Sequence, residues 1–194
     1  MIKNESGLNL LELIVAIVLM SLVLLGFFSI ELFSMHHVIS SDKRVKVQND
    51  IAYAVEYMSK YVQMGQGEVN NPPITAYPLL GTQTGFQVRV DLNIPPTPGV
   101  FTDDTWVAFY LDGNQLKKNI AGSIEVLSSR ICSSFIADQM PQFPSAGFYA
   151  DITDQGIGVD IGLMGRYIPS SSASLDNPQV CMKTRLVVPS ASAQ

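Results

Sequence analysis

The chain has 194 residues, 47% of them hydrophobic, with a formal net charge of −5, two histidines and two cysteines. That length suits one anchored domain rather than two large ones. The acidic balance gives no support to a broad nucleic-acid surface, which favours an excess of lysine and arginine, and no G-x-x-x-x-G-K-S/T loop is present to cradle the phosphates of a nucleotide.

The first element is an apolar run from Leu8 to Ile30, in which Glu12 is the single charge. The run is long enough to cross a bilayer, for which about 20 apolar residues suffice. A carboxylate inside it costs roughly 2.5–3.5 kcal/mol on insertion scales, so Glu12 needs a partner and marks a function. The short polar stretch Met1–Gly7 suggests one. A cut after Gly7 exposes an amino group on Leu8, one helical turn from Glu12. Amine and carboxylate then neutralise each other, within one chain or between neighbours. Two plainer readings exist. A cleaved signal peptide with Lys3 as its basic flank has an apolar region of about 7–15 residues ending at a small-residue site. Here Leu13–Ile30 runs on without a good site of that kind. A simple membrane anchor accounts for the run but treats Glu12 as incidental.

Gly7-Leu8-Asn9-Leu10-Leu11-Glu12-Leu13 resembles the type IV prepilin processing motif, usually written G-F-T-L-I-E-L. Leu8 stands where phenylalanine is common, and Asn9 where threonine or serine is. The resemblance implies a prepilin peptidase that cuts after Gly7 at the cytoplasmic face and methylates Leu8. It implies an assembly role for Glu12 and a filament whose spine is the apolar segment. It also implies orientation, with the head outside the cytoplasm. Charge alone leaves orientation open, because Lys3 on one side is opposed by Lys43, Arg44 and Lys46 on the other.

Beyond the run, Val47, Ile51, Ala54, Val55, Met58 and Val62 recur at three- and four-residue steps, the mark of one apolar helix face. One long helix is expected from about Leu8 to Met64, able to soften at Gly26 and at Ser40-Ser41-Asp42 and ended by Gly65 and Gly67. A loop opens at Asn70-Asn71-Pro72-Pro73 and extends past Pro78 and Gly81. Phe86, Val88, Val90 and Leu92 alternate with polar residues as in a half-buried strand. After the break at Pro95–Gly99, strands are expected at Trp106–Leu111 and Gln115–Ile120, joined by a hairpin at Asp112-Gly113. Ile124–Ile136 suits either helix or strand. Ile157–Ile161 and Val180–Val188 are further strands, separated by a flexible loop at Pro169–Ser174. The tail from Ser190 is small and polar, and fraying is expected there.

The remaining chemistry-bearing residues are few. Cys132 and Cys181 form a candidate disulfide, which an extracytoplasmic compartment permits. Two separate buried thiols are the other reading, and their spacing suits no zinc site. His36 and His37 are adjacent, and adjacent helical residues do not face each other, so no metal site is expected there. Asp103, Asp104, Asp151, Asp154 and Asp160 match no full calcium loop and read as solvated carboxylates. Tyr53, Tyr57 and Tyr61 make a stripe at four-residue steps, suited to core or subunit packing. No catalytic constellation, cofactor motif or metal-ligand set is visible.

The expected architecture is therefore α+β. It comprises a leader at 1–7, a transmembrane helical half at 8–33 and a head at 34–194, in which the second half of the helix packs on an antiparallel sheet. That order resembles the pilin fold, and the loop-rich head resembles the larger minor pilins, including J-type minor pseudopilins. The resemblance implies a non-enzymatic subunit of a type IV pilus or type II secretion pseudopilus. Its partners are then other major and minor pilins or pseudopilins, the prepilin peptidase, an inner-membrane assembly platform and, before assembly, bacterial inner-membrane lipid. Its head lies in the periplasm. The alternatives are a pilus-tip binding module, such as an adhesin or a DNA-uptake minor pilin, and a membrane-anchored enzyme.

Overall fold

The computed structural model describes residues 10–68, 70–77, 85–97, 99–132 and 147–189. Gly7, Leu8 and the rest of the expected leader lie outside the described residues, as does the second part of the ambiguous 124–136 segment. The chain divides into two units, residues 1–41 and 42–194. Helix α1 (Leu10–Gln63) contributes to both.

In the first unit, residues 10–39 of α1 are all exposed. A helix that is apolar on every side is stable only where something other than water surrounds it, in a core or in lipid. This is the one described helix long and apolar enough to cross a membrane. The two serines of its uncharged stretch 13–30 fit that surrounding. Ser21 Oγ donates to the Ile17 carbonyl at 2.7 Å and Ser29 Oγ to the Leu25 carbonyl at 2.8 Å, so neither hydroxyl needs water. Gly26 and Ser40-Ser41-Asp42 lie inside the helix rather than interrupting it. A single glycine costs only about 1 kcal/mol relative to alanine, too little to end a helix by itself.

The second unit joins residues 42–63 of α1 to two antiparallel sheets. The first has five strands in the order of the chain: β1 (Ile74–Ala76), β2 (Gly85–Val90), β3 (Thr105–Asp112), β4 (Gln115–Ile120) and β5 (Ser123–Ser128). The second is β6 (Phe148–Thr153), β7 (Gly158–Arg166) and β8 (Gln179–Val187). The coarse α+β expectation holds, with two sheets where one was expected. The hairpin at Asp112-Gly113 forms, pairing Asp112 with Gln115. Gly113 has φ +59°, which a tight two-residue turn requires and which glycine takes without strain. The expected apolar face of α1 is also present. Val47, Ile51, Ala54, Met58 and Val62 are buried, and Val55 is half-buried against the same core.

These side chains meet both sheets. Phe86, Val88, Val107, Phe109 and Leu116 come from the first sheet, and Phe148, Val159, Ile161 and Leu163 from the second. Tyr61 packs on Phe109, with ring centroids 5.9 Å apart. Farther back along α1, Ile51 Cδ1 lies 3.0 Å from the point where a Cβ on Gly165 would sit. The helix therefore rests against bare backbone of β7 there. β7 runs on to Arg166 instead of stopping near Ile161 because β8 pairs with it as far as Gln179. Glycine inside a strand often marks such close approach, not a break.

Two loop expectations change. The segment after β7 is braced rather than loose. Asn177 is buried, with Nδ2 donating to the carbonyls of Ile168, Ser171 and Ser172, while its Oδ1 accepts from Ile168 N at 2.7 Å. Arg89, which alternation places on the polar side of β2, is only 3% exposed. The connection between β2 and β3 covers it, with the guanidinium 4.6 Å from the Phe101 ring centroid and 5.4 Å from that of Trp106.

Candidate functional site

Glu12 lies in the first turn of α1. A carboxylate near the N-terminal end of a helix is favoured by the positive end of the helix dipole. The next acidic residue along α1 is Glu31, and residues 13–30 between the two are uncharged. At 1.5 Å per residue that stretch is roughly 27 Å long, close to the ~30 Å hydrocarbon thickness of a bilayer. A bilayer centred on it meets Glu12 at one boundary and Glu31 at the other. His36 and His37 follow on the exposed part of α1, His37 against the Phe33 ring at a centroid distance of 5.9 Å.

Three polar clusters among the described residues of the head bear on what it can do. In the first, Lys118 from β4 lies on the core side of its sheet, where it is almost wholly buried. Its Nζ donates to Tyr57 Oη at 2.9 Å and pairs with Glu125, and it lies over the rings of Tyr57 and Tyr61. Burial works against its charge, but the Glu125 and Tyr57 hydrogen bonds outweigh that and raise its pKa above the ordinary lysine value. The hydrogen bond from Lys118 is the main cause that lowers the Tyr57 pKa. A lysine held in its charged form is neither nucleophile nor base. Lys118 instead ties the tyrosine stripe to the sheet.

The second cluster surrounds Arg89. Its Nε donates to the Gln66 carbonyl at 3.3 Å, and Nη2 to the carbonyls of Asn71 and Pro72. These bonds fasten the chain that leaves α1 to the outer face of β2. Asp104 is the nearest countercharge, 4.0 Å from Nε, and its side chain is 1% exposed. Neither of its oxygens has a hydrogen-bond partner. Burial is the largest influence on both groups. It raises the Asp104 pKa and lowers that of Arg89, each against the attraction of the other.

The third cluster is the cysteine row. Cys132 N donates to the Met164 carbonyl at 3.0 Å, and Met164 pairs with Cys181 across the β7–β8 ladder. The two cysteines thus flank β7 on opposite sides, two strand spacings apart. That is about 9–10 Å, beyond the ~7 Å Cα separation a disulfide can span. Both are free thiols in this structure, the second of the two readings the sequence offered. Burial raises the pKa of each, which removes the thiolate character that reactivity needs.

The acidic residues weighed for calcium do not converge. Asp103 and Asp104 lie in the β2–β3 connection, Asp151 and Asp160 face each other across β6 and β7, and Asp154 pairs with Arg185. Among the described residues, no group of three or more histidine, cysteine, aspartate or glutamate side chains is placed to hold a metal ion. The buried Arg89–Asp104 pair escaped sequence reasoning. Its only signal was an arginine between two valines in a strand whose next loop carries Phe101 and whose partner strand carries Trp106.

No family model matches the chain, and no curated protein or solved structure matches it.

Proposed function

We propose that this chain is a minor pilin or pseudopilin, a structural subunit cut after Gly7 and assembled through its N-terminal helix into a type IV pilus or type II secretion pseudopilus. The observation that carries the reading is Glu12: one carboxylate in the first turn of an exposed, wholly apolar helical segment. The same helix continues into an amphipathic half buried on antiparallel sheets. In the proposed mechanism the apolar segment holds the subunit in the inner membrane, with its head in the periplasm. Cleavage frees the Leu8 amine, and the segment then leaves lipid for a bundle of similar helices. There Glu12 meets a neighbour's amine, and a carboxylate carried at the edge of the apolar segment gains a cationic partner inside the bundle. The driving step is exchange of surroundings and needs no chemistry from the head.

Intact-mass and N-terminal analysis of membrane-extracted protein is expected to find a chain beginning at Leu8, with a methylated amine. Glu12→Gln is expected to insert, be cut and fold normally, yet crosslink less to partner subunits at matched expression. A mature chain that keeps Met1–Gly7 in cells with active peptidase defeats the processing half of the proposal. Unchanged crosslinking and unchanged pilus or secretion output in Glu12→Gln defeat the pairing half.

A further inference from the structure

The end of α1 and the connection between β2 and β3 enclose a cleft of about 550 Å³. Its charged lining residues, Glu68 and Asp91, are both acidic. The helix itself ends there, at Gln63, and a helix C-terminus carries a partial negative charge of its own. Arg89, the cation beneath the cleft, is buried and committed to the carbonyls of Gln66, Asn71 and Pro72. Met64, Pro96 and Phe101 give the walls apolar surface. The cleft therefore suits a cationic head on an apolar stem, which describes a lysine or arginine side chain.

The loop beside the cleft adds a second feature. Ile94 is 98% exposed, Leu92 43% and Val100 47%. Single exposed apolar residues are ordinary, but here three share one short connection. The connection is also held in shape. Asp91 accepts from Asn93 N at 2.9 Å and from Thr97 N at 2.6 Å, and Thr97 Oγ1 donates to Asp103 at 2.9 Å. A loop braced from within loses little freedom on binding, so its exposed apolar side chains meet a partner at low entropic cost.

We propose that this cleft and its apolar loop form a docking site for a protein segment that presents a lysine or arginine side chain between apolar neighbours. The basic side chain meets Glu68 and Asp91, and its neighbours cover Ile94, Leu92 and Val100. Charge complementarity selects this occupant. An acidic segment is repelled, and a purely apolar one leaves the acidic lining with no cation beyond the buried Arg89. The site rests on the head alone and stands whether or not the N-terminus is processed as a prepilin.

The test is a titration of the isotope-labelled full chain in detergent micelles, followed by amide NMR shifts. The probe is the peptide acetyl-Gly-Leu-Lys-Ile-Gly-amide. Matched peptides replace the lysine with norleucine or glutamate. Millimolar lysine peptide is expected to move the amides of Gln66, Gly67 and Phe101, with weaker binding at higher salt. Glu68→Gln should weaken binding about two- to fivefold, the size expected of one exposed ion pair. Ile94→Ser, at a fully exposed position that leaves folding untouched, should weaken it as well. Three results overturn the proposal: no shift localised to the cleft, norleucine peptide binding as well as lysine peptide, or unchanged affinity in both variants. Loss of binding without any change in N-terminal processing separates this site from the pilin reading.

Discussion

The buried Arg89–Asp104 pair supports a prediction with a sign that runs against intuition. At 4.0 Å the attraction is about 4 kcal/mol for an effective dielectric constant of 20. The opposing cost is several kcal/mol per ion for leaving water. The distance also exceeds hydrogen-bond reach, so Asp104 gains charge neutralisation without a donor. The Arg89 hydrogen bonds all run to backbone carbonyls instead. Asp104→Asn keeps the side-chain size and removes the buried negative charge. It is expected to be neutral or slightly stabilising at pH 7, because a buried negative charge is removed while Arg89 keeps its backbone carbonyls and the attraction of Glu68. Arg89→Met is expected to destabilise the head by about 3–5 kcal/mol, because it leaves Asp104 without a countercharge and takes a donor from the carbonyls of Gln66 and Pro72. The pH dependence has a definite direction. The Asp104 pKa is raised on folding, so between the unfolded value, about 3.9, and the higher folded value the native state binds more protons. Stability from this group is then lost as pH rises through that window. The advantage of Asp104→Asn over wild type should accordingly be largest at neutral pH and vanish below about pH 4. Urea unfolding of the full chain in micelles, read by Trp106 fluorescence at several pH values, measures each of these quantities. A neutral-pH loss of more than about 2 kcal/mol in Asp104→Asn would show that the pair is net favourable and that the desolvation argument is wrong.

Two further predictions follow from packing and register. Gly165→Ala places a methyl 2.9 Å from the Arg130 carbonyl and 3.0 Å from Ile51 Cδ1; overpacking of this kind should cost about 1–3 kcal/mol, and an unchanged unfolding midpoint would mean that α1 does not press on β7. Cys132 and Cys181 should appear as two free thiols in non-reducing peptide maps, with Cys132 alkylated only after unfolding because it is fully buried; recovery of a joined Cys132–Cys181 peptide from native protein would refute the register.

Residues whose role depends on near neighbours along the chain could be read before any fold was known. The apolar run with Glu12, the α1 face from Val47 to Val62 and the hairpin at Asp112-Gly113 all depend on periods of a few residues or on one backbone torsion. Helix and turn geometry follow directly from such local patterns. Strand β6 was missed because Phe148, Ala150 and Ile152 alternate with a tyrosine and an aspartate over only six residues. So short a pattern becomes a strand only when β7 supplies its hydrogen bonds. The division into two sheets, the close approach at Gly165 and the separation of Cys132 from Cys181 are likewise decisions between distant segments. The same holds for Arg89. Its place in β2 was legible, but its burial arises from Phe101 and Trp106 closing over it and from carbonyls more than fifteen positions earlier. Local sequence sets what a residue can do within a helix or strand. Tertiary structure sets which surfaces lose their water, and that loss decides where charge is costly in this protein and where a cleft can use it.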